Sequence, residues 1–132
     1  MTQDGVRDAA FEMAASGIRF GVGVTREVGM DLADLGARLV LVLTDPVLAD
    51  LPPVQAVIES LEASRVPFAL YRDVRVEPTD ESFLDAITFA HTRPFDGFVA
   101  VGGGSTIVTA KAVNLYTTFP PAEFLDYVNP SI

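Results

Sequence analysis

Apolar residues along this chain come in short bursts, and their period changes from one burst to the next. Over residues 18–24, Ile18, Phe20, Val22 and Val24 alternate with Arg19, Gly21 and Gly23, which predicts a half-buried strand. Residues 26–35 carry Val28, Met30, Leu32 and Leu35 and stop at Gly36, the pattern of a short helix closed by a glycine. The run Leu39-Val40-Leu41-Val42-Leu43 is continuous, as expected of a parallel strand covered on both faces, and it ends at Thr44-Asp45-Pro46. After Pro52-Pro53, the residues Val54, Val57, Ile58 and Leu61 match the i, i+3, i+4, i+7 template of a helix. A third strand is expected over 67–71. Asp80 is placed to cap a helix bearing Phe83, Leu84, Ile87 and Phe89, and Phe98 to Val101 form a fourth strand. That strand runs directly into Gly102-Gly103-Gly104 and a helix opening with Ser105 and Thr106.

Strands alternating with helices imply a parallel sheet with right-handed crossovers, an α/β fold of the Rossmann-like kind. The expected organisation is a flexible segment over 1–17 followed by one nucleotide-binding α/β domain over 18–132. Residues 124–128 could add a short amphipathic turn. Ligands of open parallel sheets bind beyond the carboxyl ends of the strands. Asp45, Glu77-Pro78-Thr79 and Gly102 to Ser105 all fall at such ends, so three separate stretches converge on one edge.

Composition narrows the chemistry. At 132 residues and 49% apolar, the chain can bury a core of its own. It has 18 acidic and 9 basic residues, a formal charge of −9, so a nucleic-acid backbone would be repelled over most of the surface. No apolar run is long enough for a membrane span. There is no cysteine, and His91 is the single histidine, which removes thiolate nucleophiles and histidine-rich metal sites. His91 itself falls at a helix end, where the dipole favours a cation. With Asp4, Arg7, Asp8 and Glu12, residues 1–17 lack the features of a secretory signal or a transit peptide. The chain reads as cytoplasmic, with the mitochondrial matrix as the alternative if an upstream transit segment has been removed.

The glycine triplet is the leading candidate for chemistry. Glycines accept positive φ, Gly103 among them on this reading, and they let the backbone approach a ligand; the following helix offers free N–H groups and a favourable dipole to a phosphate. A tight turn alone would need one glycine. Lys111 lies too far along the helix for a P-loop, and the glycines follow a late strand rather than the first, unlike a standard dinucleotide fold. Lys111 reads as a solvated or phosphate-proximal residue. Asp45 can cap a turn beginning at Pro46, or accept a ribose hydroxyl and repel a 2′-phosphate, which would select NAD over NADP; both roles can coexist. Pro78 and Thr79 form a turn or a cofactor-edge contact.

Thr44-Asp45-Pro46, Val76-Glu77-Pro78-Thr79 and Gly102-Gly103-Gly104-Ser105 with Lys111, in this order, resemble the amino-terminal half of the iron-containing (group III) alcohol dehydrogenases. The stretches Leu51 to Gln55, Arg75 to Asp80, Val101 to Thr106 and Phe124 to Tyr127 look most like the hydroxyacid–oxoacid transhydrogenase branch, and the resemblance runs from about Phe11 to Pro130. It implies a nicotinamide-cofactor domain of the dehydroquinate synthase-like kind, with Asp45, Pro78, Thr79, Gly102, Gly103, Gly104, Ser105 and Thr106 at the cofactor. It also implies an all-helical carboxyl-terminal domain supplying one aspartate and three histidines to iron or zinc, ligands that this chain is expected to lack. The family reaction is reversible hydride exchange between a hydroxyacid such as 4-hydroxybutyrate and an oxoacid such as 2-oxoglutarate. Val108 stands where the family glycine motif usually has an aspartate, and Asp126 and Tyr127 follow the family pattern near its interdomain cleft. The expectation is a truncated chain that holds NAD weakly, is inactive alone and pairs with a second copy through 18–24 or with a separate metal-binding domain. The alternatives are a non-catalytic nucleotide-binding module and half of a split enzyme.

Overall fold

A computed structural model describes residues 23–121. A 3-10 turn over Val24–Glu27 leads into α1, Val28–Asp34, followed by β1, Val40–Leu43, and α2, Pro52–Ala63. β2 is Phe68–Tyr71, α3 is Asp80–Ala90, β3 is Gly97–Ala100 and α4 is Gly104–Thr118. The strands form one sheet in the order β2-β1-β3. Both pairings are parallel, with Val40 opposite Phe68 on one side and Gly97 on the other.

The continuous apolar run of β1 is explained by two separate cores. Leu41 and Leu43 pack with Ala86, Ile87 and Ala90 of α3 and with Ala110, Val113 and Tyr116 of α4. Val40 and Val42 pack on the other face with Val57 and Leu61 of α2, and Val28 and Leu32 of α1 lie against them. Side chains alternate across a strand, so a central strand between two helical layers must be apolar at every position. All of β1 is fully buried.

Local signals set the helix ends. Gly36 has φ 80, and the bonds from Gly36 N to Ala33 O and from Ala37 N to Leu32 O, each 3.0 Å, close α1 in a Schellman motif. The same pair of bonds closes α2 at 3.0 and 2.9 Å, but there the left-handed residue is Arg65, at φ 58. Pro52 and Pro53 are the first residues of α2 rather than its prelude, positions where a missing N–H costs nothing.

Several expectations are corrected. Residues 18–22 lie outside the described residues, and the end of the expected strand over 18–24 is not extended: Gly23 turns at φ 81 and Val24 opens the 3-10 turn. Asp80 does not cap α3. Thr79 does, its hydroxyl accepting from Ser82 N at 3.1 Å while Ser82 Oγ accepts from Thr79 N at 2.8 Å. This reciprocal box satisfies two backbone donors, which Asp80 inside the first turn cannot do. Met30 and Leu35, expected on the apolar face of α1, are exposed, and of that set only Val28 and Leu32 meet the core. The turn expected over 124–128, with Asp126 and Tyr127, lies outside the described residues.

Candidate functional site

The site is assembled where the three strands end. Thr44, fully buried, follows β1 and joins its two neighbours: its N–H donates to Tyr71 O at 2.9 Å, and its hydroxyl donates to Val101 O at 2.8 Å. Its carbonyl accepts from Val74 N at 3.2 Å, which folds the chain after β2 back over the strand ends. Thr44 therefore ties together the strand ends from which the site is built.

Asp45 begins the turn after β1. Its Oδ1 accepts from Val47 N at 2.9 Å and Leu48 N at 2.8 Å, an Asx cap. Its second oxygen, Oδ2, has no hydrogen-bond partner among the described residues, so capping leaves that oxygen available.

The three glycines divide into two kinds. Gly102 has φ 156, and a Cβ there would lie 2.5 Å from Thr106 Oγ1, so this position needs glycine for the fold itself. Gly103 does not have the expected positive φ: it is at φ −88, ψ −162, a conformation any residue adopts. A Cβ at Gly103 or Gly104 would meet nothing within 4 Å. Neither the backbone nor the packing of this chain requires glycine at these two positions. Gly103 O accepts from Thr106 N and Ile107 N, both at 3.1 Å, whereas the amides of Gly103, Gly104 and Ser105 donate to no acceptor among the described residues. The helix they open, α4, has neither a side-chain cap nor an acidic residue in its first turn.

These groups border a cavity of about 240 Å³ lined by Asp45, residues 74–76 and residues 103–106. The Ser105 hydroxyl donates to the Val76 carbonyl and closes one side of it. Thr106 is 2% exposed, and its hydroxyl has no hydrogen-bond partner among the described residues. This leaves the Thr106 hydroxyl free to donate to a polar group in the cavity that it lines.

Of the residues singled out from sequence, Asp45, Gly103, Gly104, Ser105 and Thr106 meet at this cavity, and Gly102 packs against Thr106 without lining it. Pro78 and Thr79 do not line it; Thr79 is engaged in capping α3. Lys111 lines a separate concavity farther along α4, with Asn114, Leu115 and Phe119. His91 terminates α3, its N–H donating to Ile87 O at 3.1 Å. Sequence reasoning missed Thr44 as the tie between strand ends and missed Arg75, which lines the cavity. Arg75 was visible only as part of the stretch running to Asp80, with no periodicity to mark it.

Arg75 also lines an adjoining cleft of about 730 Å³ that includes Tyr71, Asp73 and Asp85. Burial raises the Tyr71 phenol above its ordinary pKa, the Asp73 and Asp85 carboxylates raise it further, and the Arg75 guanidinium opposes them. The phenol is held neutral. No group of three or more histidine, cysteine, aspartate or glutamate side chains that could hold a metal ion occurs among the described residues.

The sequence model of iron-containing alcohol dehydrogenases matches residues 15–131. The chain belongs to the iron-containing alcohol dehydrogenase family. It is 60% identical over 125 residues to the mitochondrial hydroxyacid–oxoacid transhydrogenase of Mus musculus, covering 95% of this chain and 27% of that protein. The Xenopus tropicalis protein of the same name is 61% identical over 123 residues, covering 93% and 27%. The chain thus spans about a quarter of the length of these relatives. Its fold is similar to that of the NADH-dependent butanol dehydrogenase A of Thermotoga maritima, with a TM-score of 0.73 at 23% identity, over 80% of this chain and 27% of that one. The parallel sheet with flanking helices is the fold these dehydrogenases carry.

Proposed function

We propose that the chain is the NAD-binding portion of an iron-dependent alcohol dehydrogenase of the hydroxyacid–oxoacid transhydrogenase type, with the cofactor's pyrophosphate in the cavity beside Gly103 and Gly104. One observation carries this reading. Two glycines that the fold does not need face open space, next to three unpaired amides at the start of a fifteen-residue helix. A cradle that any Cβ would fill suits a phosphate approached by backbone N–H groups. The size agrees, since 240 Å³ is below the ~300–1,000 Å³ of pockets enclosing a drug-sized ligand and suits the phosphates rather than the whole dinucleotide.

In this reading each residue has a definite task. The amides of Gly103, Gly104 and Ser105 hold phosphate oxygens, and the Thr106 hydroxyl donates to the same group. Asp45 keeps Oδ1 on its own turn and turns Oδ2 to a ribose hydroxyl, favouring NAD over NADP. Pro78 and Thr79 border the cofactor from the next loop. The nicotinamide, when bound, accepts or donates the hydride exchanged between a hydroxyacid such as 4-hydroxybutyrate and an oxoacid such as 2-oxoglutarate. This chain's part in that exchange is to bind and orient. Iron or zinc and its ligands belong to the remainder of the family architecture, which also accounts for an inactive isolated domain over 18–132. The mitochondrial names of the relatives favour the matrix over the cytoplasm.

Calorimetric titration of NADH into the parent chain and into Gly103→Val is the test. The valine should adopt the Gly103 backbone without strain, so the unfolding midpoint is expected to hold while NADH binding is lost. Equal affinity in the two proteins would remove the pyrophosphate from this cavity.

A further inference from the structure

Resting on the dinucleotide reading, we infer that Arg75 is a phosphate-binding residue of this site, pairing its guanidinium with the pyrophosphate that NAD and NADP share.

Among the described arginines only Arg75 and Arg65 have no side-chain partner, and Arg65 sits at the end of α2 and does not line the cavity. Arg26 pairs with Glu59 at 2.7 Å and Arg72 with Asp50 at 3.0 Å, Arg38 lies 3.9 Å from Asp96, and Arg93 sits 6.0 Å above the ring of Phe95. Arg75 has no carboxylate within ion-pair distance among the described residues, although Asp73 and Asp85 line the adjoining cleft with it. Its backbone, by contrast, is held on both sides. Val74 N is bonded to Thr44 O at 3.2 Å, and the Val76 carbonyl accepts the Ser105 hydroxyl. The residue before Arg75 is tied to the end of β1 and the residue after it to the glycine helix. A cation with a fixed base and a free head loses less freedom on binding than one on a loose loop.

Charge supplies the second argument. The chain carries −9 overall, and a helix N-terminus offers only about half an elementary charge against the two of a pyrophosphate. Lys111 lies at another concavity, which leaves Arg75 as the cation lining this cavity among the described residues. Guanidinium presents its donors in a planar fork that matches two phosphate oxygens, so the residue type fits the ligand class. Asp45, on the same cavity, opposes a 2′-phosphate, and this directs the arginine to the shared pyrophosphate instead.

The experiment titrates NADH, NADPH and ADP-ribose into the full chain and into Arg75→Gln and Arg75→Lys, with thermal unfolding as the control for fold. Because Arg75 is exposed and unpaired, unfolding midpoints are expected to be unchanged. Arg75→Gln should weaken all three ligands alike, by about tenfold or more, as for loss of a hydrogen bond to a charged group. It should also flatten the dependence of affinity on salt, and Arg75→Lys should recover part of the loss. Parent binding with no change in Arg75→Gln overturns the inference and leaves the dinucleotide reading standing. A loss confined to NADPH assigns the arginine to the 2′-phosphate and overturns it as well. A parent chain that binds none of the three overturns both.

Discussion

The Thr44 hydroxyl donates to the Val101 carbonyl across 2.8 Å, fastening the end of the central strand to the residue that enters the glycine loop. Thr44 is fully buried, and Asp45, the residue after it, lines the cavity. Thr44→Val keeps the shape and leaves the partly buried Val101 carbonyl without this donor, at a cost of about 1 kcal/mol. Thr44→Ser should retain most of the stability. Urea unfolding of the two variants decides it, and equal midpoints would mean that the bond contributes nothing net.

Gly102 differs from its two neighbours. Gly102→Ala brings a Cβ to 2.5 Å from Thr106 Oγ1 and to 3.0 Å from its Cβ, so it should destabilise the fold by about 1–3 kcal/mol. Gly104→Ala should leave stability intact and affect only ligand affinity. The same loss of stability in both variants would contradict the division of the triplet into one structural and two ligand-facing glycines.

Gly29 is fixed by a helix crossing. A Cβ there would stand 2.1 Å from the Ser60 carbonyl oxygen, while Gly29 N donates to Ser60 Oγ at 2.8 Å and that hydroxyl donates to Arg26 O at 2.6 Å. Gly29→Ala gains about 1 kcal/mol of helix propensity but must push two backbones apart, for a net loss of about 1–3 kcal/mol. Thermal unfolding of the variant at or above the parent midpoint would show that the crossing can open cheaply.

Arg65 occupies the left-handed position that ends α2, at φ 58, where Gly36 ends α1. Arg65→Gly should stabilise by up to about 1 kcal/mol, since glycine avoids the clash between Cβ and carbonyl that an L-residue meets there. A lower midpoint in urea would indicate that the arginine has a contact outweighing its backbone strain.

Asp96 contributes to the acid limb of stability. Its carboxylate accepts from Leu39 N at 2.9 Å and from Arg38 N at 3.0 and 3.1 Å, and these bonds hold its pKa below the ordinary carboxylate range. A pKa lower in the folded than in the unfolded chain gives stability that is complete above the unfolded value and is lost as pH falls through the folded one. The stability difference between parent and Asp96→Asn should therefore be constant near neutrality and shrink below about pH 4. A difference that does not vary with pH would assign the effect to geometry rather than charge.

The hydrophobic pattern alone determined the layered α/β plan, because a central strand under two helical layers has to be apolar throughout and amphipathic helices repeat at their own period. It also marked Gly36, Asp45 and the glycine triplet, whose roles depend on backbone chemistry within a few residues. Only the tertiary structure decided which glycines serve the fold. The constraint on Gly102 comes from Thr106 on the next turn, that on Gly29 from Ser60 on another helix, and Gly103 and Gly104 are distinguished by having no neighbour at all. The position of Arg75 depended likewise on Thr44 and Ser105 holding the residues on either side of it. Except for the Gly102–Thr106 contact, which spans four residues, these contacts join positions far apart in the chain, so neither periodicity nor local propensity carries any trace of them.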